Sequence, residues 1–313
     1  MWEFNLNLVD VPFDLGYTLE SGQAFRWAHR DGTWYGVVGG GVLKVRQEGF
    51  TLFCASSSEH LGSRFVHDYF RLNDDFGAIM ASIPKDEAIT EAFERYRGLR
   101  LIRQDVWECL VSFVISTNTN IPRIRGMVSN LCDKFGGRVN FESLDYSLFP
   151  SPEQLASATI EDLSACGLGY RAQFVRDISW TVDSGFVNLD ELRLQDYSRA
   201  KEILLERVLE KKTFLGIGRK VADCVLLFSC DKDEAFPIDV WIARVLEESY
   251  PHLFSADIMA KLNSKVSGRG SLSDKTYDAI SEAVRSHFGK YAGYAQQYLF
   301  HNARKGRSDR SGV

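Results

Sequence analysis

Cysteine is scarce in this chain and scattered: six thiols in 313 residues, at 54, 109, 132, 166, 224 and 230, with no Cys-x-x-Cys pair. That spacing excludes a disulfide framework and points to reduced thiols. The expected compartment is the cytoplasm of a prokaryote or the nucleus of a eukaryote, and not the secreted space. Long apolar runs are also missing. Stretches such as 109–117 and 221–230 fall far short of the ~18 residues a membrane helix needs, so no membrane partner is expected. Residues 1–10 show neither the basic start nor the apolar core of a secretory leader. No His/Cys/carboxylate spacing suggests zinc. A net charge of −5 supplies no global attraction for a polyanion.

What is present is an ordinary folded composition, 45% hydrophobic and 25% charged, with length enough for about two domains of roughly 100–200 residues each. The charge is unevenly placed. Residues 140–200 carry ten acids against four bases, whereas Lys211, Lys212, Arg219 and Lys220 stand in a decapeptide without an acid. Residues 285–310 carry six Lys/Arg against Asp309 alone. Two basic zones on an acidic background match the footprint of a phosphate backbone. Solvated helix faces would look the same.

Residues 1–56 read as strands, at 24–27, 33–38, 42–46 and 50–54, separated by Asp31-Gly32, Gly39-Gly40-Gly41 and Glu48-Gly49. Short aromatic and β-branched runs with tight turns describe an antiparallel meander. From about residue 85 the apolar period becomes helical, as in Trp107, Leu110, Val111 and Val114. Helices are expected at 86–97, 121–135, 170–184, 197–210, 239–250, 274–287 and 291–303, with another from about 219. The fold class is therefore α+β: an N-terminal antiparallel β-sheet domain with flanking helices over 1–100, then a mainly α-helical domain over 101–304. Residues 305–313 are expected to be a disordered tail.

One segment carries chemistry: Thr213-Phe-Leu-Gly216-Ile-Gly218-Arg219-Lys220-Val-Ala-Asp-Cys224. Two glycines between helices allow a tight hairpin with positive φ and leave amide N–H groups bare at the next helix start, a ready anion site. Lys220 falls in the first turn of that helix, where the macrodipole and neighbouring cations disfavour an ammonium. A lysine kept partly neutral can attack a carbon electrophile and form a Schiff base. Nineteen residues later Asp239 follows Pro237-Ile and precedes an apolar helix, so it serves as an N-cap and equally as a rigidly held carboxylate beside a reacting centre.

The run 214–224 followed by Pro237-Ile-Asp239-Val resembles the helix-hairpin-helix and Pro/Asp motif of base-excision DNA glycosylases, and within them the bifunctional 8-oxoguanine DNA glycosylases. Four segments agree in order: Ser21-Gly22-Gln23-Ala-Phe-Arg-Trp27, Ile115-Ser-Thr-Asn118-Thr-Asn120-Ile-Pro-Arg123, Gly167-Leu-Gly169-Tyr170-Arg171 and Tyr291-Ala-Gly-Tyr-Ala-Gln296-Gln-Tyr-Leu-Phe300. The resemblance implies a helix-hairpin-helix glycosylase domain that flips a damaged purine into a pocket. Lys220 then attacks C1′, Asp239 stabilises the sugar cation, and β-elimination nicks the strand. It implies base recognition by Gly22, whose carbonyl accepts from N7–H of 8-oxoguanine, and by Cys224, Gln296 and Phe300. Contacts to duplex DNA fall to Asn118, Arg123, Tyr170 and Arg171, and to the hairpin glycines Gly216 and Gly218.

Trp241 stands where many relatives carry a histidine near backbone phosphate, and an indole offers one donor and no charge. With no cysteine after Cys230, the iron–sulfur cluster of related branches is excluded. No cofactor is expected, apart from a monovalent cation that the resemblance implies at the hairpin carbonyls. The expected partner is duplex DNA containing 8-oxoguanine, bound by a monomer. Two other readings compete. A monofunctional glycosylase for another damaged base would lack the lysine, and a non-catalytic helix-hairpin-helix DNA-binding protein would not need the pocket residues.

Overall fold

A computed structural model describes residues 1–206 and 216–311, and side chains through residue 306. The chain opens with five antiparallel strands: β1 (Trp2–Asn7), β2 (Trp27–Arg30), β3 (Thr33–Val38), β4 (Gly41–Glu48) and β5 (Thr51–Ser56), in the spatial order β1-β5-β4-β3-β2. Three of the four expected strands lie close to their expected positions. The fourth is corrected, because residues 21–26 are irregular and the strand begins only at Trp27. β1 was not anticipated. It is an edge strand on which only Leu6 is buried, and it pairs with β5 from Trp2↔Ser56 to Asn7↔Thr51. Gly36 lies opposite Trp27, and a Cβ there would sit 2.5 Å from the indole. A glycine in mid-strand thus makes room for a core tryptophan.

The helical body is built from Val106–Ile115, Ile121–Phe135, Arg171–Asp183, Tyr197–Leu205, Arg219–Ser229, Val240–Ser249, Ala256–Val266, Asp274–Phe288 and Ala292–Ser311, with shorter pieces between. Side-chain caps start most of them: Asp105, Asn120, Asp196, Asp239, Ser255 and Ser273 each accept from an amide in the first turn. A second hairpin, β6 (Arg138–Phe141) and β7 (Leu144–Ser147), packs Phe141 against Val42 and Ala55 on the outer face of the sheet.

The helices Phe76–Ser82 and Glu87–Arg95 bury Phe76, Ile79, Ile89 and Ala92 in the helical core, while the sheet's own core runs from Leu6 to Leu72 and takes in Ile102. The disordered tail expected from 305 is corrected: the last helix continues through Gly306 to Ser311, and Lys305 pairs with Glu20 at 2.7 Å. The expected helix over 197–210 is seen through Leu205. Lys211, Lys212 and the hairpin residues through 215, where the cation carbonyls were expected, lie outside the described residues.

The two halves are locked by buried polar contacts. Arg71, at 6% exposure, forks onto both oxygens of Asp233 at 2.6 and 2.8 Å. Arg100, at 1%, donates to the carbonyls of Pro12, Arg71 and Asp74 and lies over the Phe76 ring. Buried guanidinium groups are tolerable only when fully bonded in this way.

Candidate active site

Among the helices, closed on one side by the segment bearing Gly22 and Phe25, opens a cavity of about 350 Å³, within the size range of ligand pockets. Phe25, Phe113, Phe228, Ile121 and Ile124 form its apolar wall, and Gly22, Lys220, Cys224, Asp239, Trp241, Gln296 and Phe300 converge on it. Every residue expected to react with or read the base is therefore at one place, although they come from positions 22 to 300. Lys220 and Cys224 are one turn apart on Arg219–Ser229, as are Gln296 and Phe300 on the last helix.

Lys220 lies in the first turn after Gly218, and its Nζ is 3.4 Å from Ser116 Oγ and 5.4 Å from the centre of the Phe113 ring. Asp239 caps Val240–Ser249, accepting from Ile242 N at 2.8 Å. Burial raises its pKa, while the Ile242 amide, Lys220 and the Trp241 amide draw it back down. Lys265, which sequence reasoning missed, faces the same pair. Burial lowers its pKa, Asp239 opposes that and Lys220 adds to it. Burial pushes the Cys224 thiol up to about 12, so it lines the wall as a neutral group.

Gln296 is 4% exposed and donates Nε2 to the Pro237 carbonyl at 3.1 Å, leaving a buried Oε1 without a partner among the described residues. An unmet buried acceptor at a cavity wall calls for a donor from the occupant. Gly22 has φ +84°, and a Cβ on it would stand 3.1 Å from Ile121 and 3.3 Å from Phe300. Its neighbours hold it rigidly. The Ser21 carbonyl accepts from Gln297, and buried Gln23 donates to Thr18 and Arg100 carbonyls while accepting from Ile102 N. Sequence reasoning assigns Gln23 no role, since its side-chain partners lie up to 79 residues away.

The residues expected to meet the opposite strand gather elsewhere. Asn118, Arg123, Tyr170 and Arg171 line a second concavity, and Thr119 borders both. Asn118 has φ +51°, and the cap of the next helix is Asn120. Tyr170 is 56% exposed, with the Arg171 guanidinium 4.5 Å over its ring. Arg171, expected to contact the opposite strand beside Tyr170, is largely buried. It is 8% exposed and donates to the carbonyls of Thr117, Asn118 and Leu168, so it braces the Asn118 turn.

The hairpin glycines differ from each other. Gly216 has φ +112° and a Cβ there would lie 2.8 Å from the Phe174 ring, whereas Gly218 is extended, at φ −91° and ψ 174°. Positive φ is thus needed once, not twice. Arg219, expected around an anion site, is instead paired with Asp278 at 2.7 Å and with Asp274. Trp241 lines the cavity and an adjoining groove, with Arg244 5.5 Å over its ring. Among the described residues no group of three His, Cys, Asp or Glu is placed to hold a metal ion, and no helix is long and apolar enough to cross a membrane.

An aromatic-walled cavity that holds a lysine and a carboxylate suits an enzyme that works on a planar base and the sugar attached to it. Two family models match the chain: 8-oxoguanine DNA glycosylase, N-terminal domain, over residues 5–110, and the HhH-GPD superfamily of base excision DNA repair proteins over 111–266. The N-glycosylase/DNA lyase OGG1 of Arabidopsis thaliana is 29% identical over 95% of this chain and 79% of its own. A probable N-glycosylase/DNA lyase of Methanothermobacter thermautotrophicus is 31% identical over 71% of this chain and 68% of its own. MBOgg1, solved in complex with a low affinity DNA ligand, superposes with a TM-score of 0.83 at 34% identity, covering 97% of this chain and 96% of that one. The 8-oxoguanine glycosylase/lyase of Clostridium acetobutylicum, solved with double-stranded DNA containing cytosine opposite 8-oxoguanine, gives 0.82 at 28% identity, covering 98% and 99%. The chain belongs to the 8-oxoguanine DNA glycosylase family of the HhH-GPD superfamily.

Proposed function

We infer that this chain is a bifunctional DNA glycosylase and lyase of base-excision repair, which removes 8-oxoguanine from duplex DNA and then nicks the strand. The observation that carries the reading is the meeting of Lys220 and Asp239 at one cavity with Gly22, Gln296 and Phe300. The target nucleotide leaves the stack and its base enters this cavity. The Lys220 Nζ lone pair attacks C1′, the bond from C1′ to N9 breaks, and the base departs with its electron pair and takes up a proton. Asp239 stabilises the cation that develops on the sugar. The amine loses its proton, the ring opens to an imine with Lys220, and loss of the C2′ proton expels the 3′ phosphate.

Recognition follows from the acceptors. A carbonyl at Gly22 takes a hydrogen bond from N7–H, which 8-oxoguanine has and guanine lacks, and Gln296 Oε1 takes one from the donor edge of the same base. An unmatched buried partner costs about 1–3 kcal/mol, so each acceptor discriminates. Asn118, Arg123 and Tyr170 serve the vacated stack and the opposite strand, and Gly216 and Gly218 present the hairpin amides to a phosphate. Trp241 takes the histidine's place without charge, so phosphate contact there rests on its single N–H. One copy of the chain suffices for all of these contacts.

The test is borohydride trapping on a duplex with one 8-oxoguanine opposite cytosine, for the wild type and Lys220→Gln, beside an undamaged duplex. A covalent adduct for the wild type alone, on the lesion duplex alone, is the expected result. Base release without an adduct would replace this reading with a monofunctional glycosylase, and binding without either would remove the enzyme assignment.

A further inference from the structure

The helix that carries Lys220 and the segment that carries Asp239 are separate in sequence, and a single buried hydroxyl joins them. Tyr277, on Asp274–Phe288, is 5% exposed. Its hydroxyl accepts from Ile238 N at 3.0 Å and donates to Asp223 Oδ2 at 2.8 Å. Ile238 directly precedes Asp239, and Asp223 lies one turn after Lys220 on the same helix. A phenol has one donor and can accept, so both bonds are made at once.

Asp223 is itself fully buried and saturated. Its other oxygen accepts from the Tyr197 hydroxyl at 2.8 Å, and Lys201 Nζ lies 3.0 and 3.2 Å from the two oxygens. All of its partners donate, which an ionised carboxylate requires. None of these groups lines the cavity. Packing needs none of them to be polar either, since buried ion pairs contribute little net stability over apolar residues of the same shape.

We propose that Tyr277 is a positioning residue for excision, setting the spacing between Lys220 and Asp239 by clamping Ile238 N to Asp223. The inference rests on the assignment of those two residues as the reacting pair. Lysine and carboxylate must bracket the same C1′, and a misplacement of about 1 Å is enough to lower a rate some 10²-fold. Tyr277 acts through the backbone at Ile238 and through the helix at Asp223, and touches no substrate.

The experiment is single-turnover excision with enzyme in excess on the 8-oxoguanine duplex, for the wild type, Lys220→Gln, Tyr277→Phe and Tyr197→Phe. Loss of adduct and excision in Lys220→Gln secures the underlying reading; if that variant retains both, the reading itself fails, whatever Tyr277 does. In Tyr277→Phe the rate constant is expected to fall about 10- to 100-fold, with full reaction amplitude and unchanged affinity for the duplex. Misfolding would lower amplitude instead of the rate constant, which separates a structural role. Tyr197→Phe removes a bond to the same carboxylate without touching Ile238, so its rate constant should fall much less. An unaltered rate constant in Tyr277→Phe, or an equal fall in both phenylalanine variants, would overturn the proposal. Should Tyr277→Phe not fold, amide exchange in the wild type decides: Ile238 N–H must be strongly protected, and rapid exchange there would also overturn it.

Discussion

Gln296 donates its amide nitrogen to the carbonyl of Pro237 at 3.1 Å, and that one bond decides which end of the amide faces the cavity. A carbonyl can only accept, so Nε2 is committed and Oε1 is left as the acceptor for the base. Gln296→Leu keeps the bulk and removes the acceptor. Single-turnover kcat/KM on 8-oxoguanine should fall roughly 5- to 150-fold, the equivalent of about 1–3 kcal/mol, with the circular dichroism spectrum unchanged.

Asp239 both caps a helix and supplies a charge, and the two roles can be separated. Asparagine caps as well as aspartate, so Asp239→Asn should melt within a few degrees of the wild type. Its excision rate should drop about 10²- to 10³-fold, the size of losing one preorganised electrostatic group. Burial raises the Asp239 pKa above the usual aspartate 3.8. As pH falls through that raised value the carboxylate is protonated and the wild-type rate declines, whereas the variant should lack this acidic limb.

Gly22 sits at φ +84° with a Cβ position 3.1 Å from Ile121 and 3.3 Å from Phe300. Gly22→Ala therefore strains the backbone by about 1–2 kcal/mol and displaces the recognition carbonyl. Thermal melting should report the strain. Excision assays should report a weaker preference for 8-oxoguanine over competing guanine duplex, beyond any change in melting.

His301 is fully buried against Tyr96, and neither ring nitrogen has a hydrogen-bond partner among the described residues. Burial, then Arg304, Lys305 and Arg95, lower its pKa to about 3. Between there and the ordinary 6.5 the unfolded chain binds a proton that the folded chain does not, so stability falls as pH drops through this window. The slope is at most about 1.4 kcal/mol per pH unit. His301→Phe should flatten that slope in urea melts at pH 5 and 7, and an identical slope in both proteins would refute the assignment.

The residues that converge on the cavity were legible because each lies in a local motif whose spacing survives in one dimension. The helix 121–135 was legible to the residue, bounded by Asn120, Pro122 and Gly136. Other features had no local signal. β1 has little buried alternation, and β6 and β7 turn through Glu142 and Ser143, both at positive φ without a glycine to announce it. Tyr277, Gln23 and Lys265 act across 39 residues or more, or through charge alone, and nothing near them in the chain marks that. Arg171 was legible as a member of its motif, but its burial under the Asn118 turn depends on packing between two helices.

The two ends of the chain are tied together where the base is read: Gln297 bonds the Ser21 carbonyl and Lys305 pairs with Glu20. During synthesis, which proceeds from the N-terminus, the segments bearing Lys220 and Asp239 leave the ribosome while Gln296 and Phe300 are still inside it. The proposed nucleophile thus emerges before Gln296 and Phe300 can complete the cavity around it. A chain cut short ahead of residue 292 would keep Lys220, Asp239 and Gly22 but lose Gln296 and Phe300, so part of the wall proposed to read the base depends on the last helix.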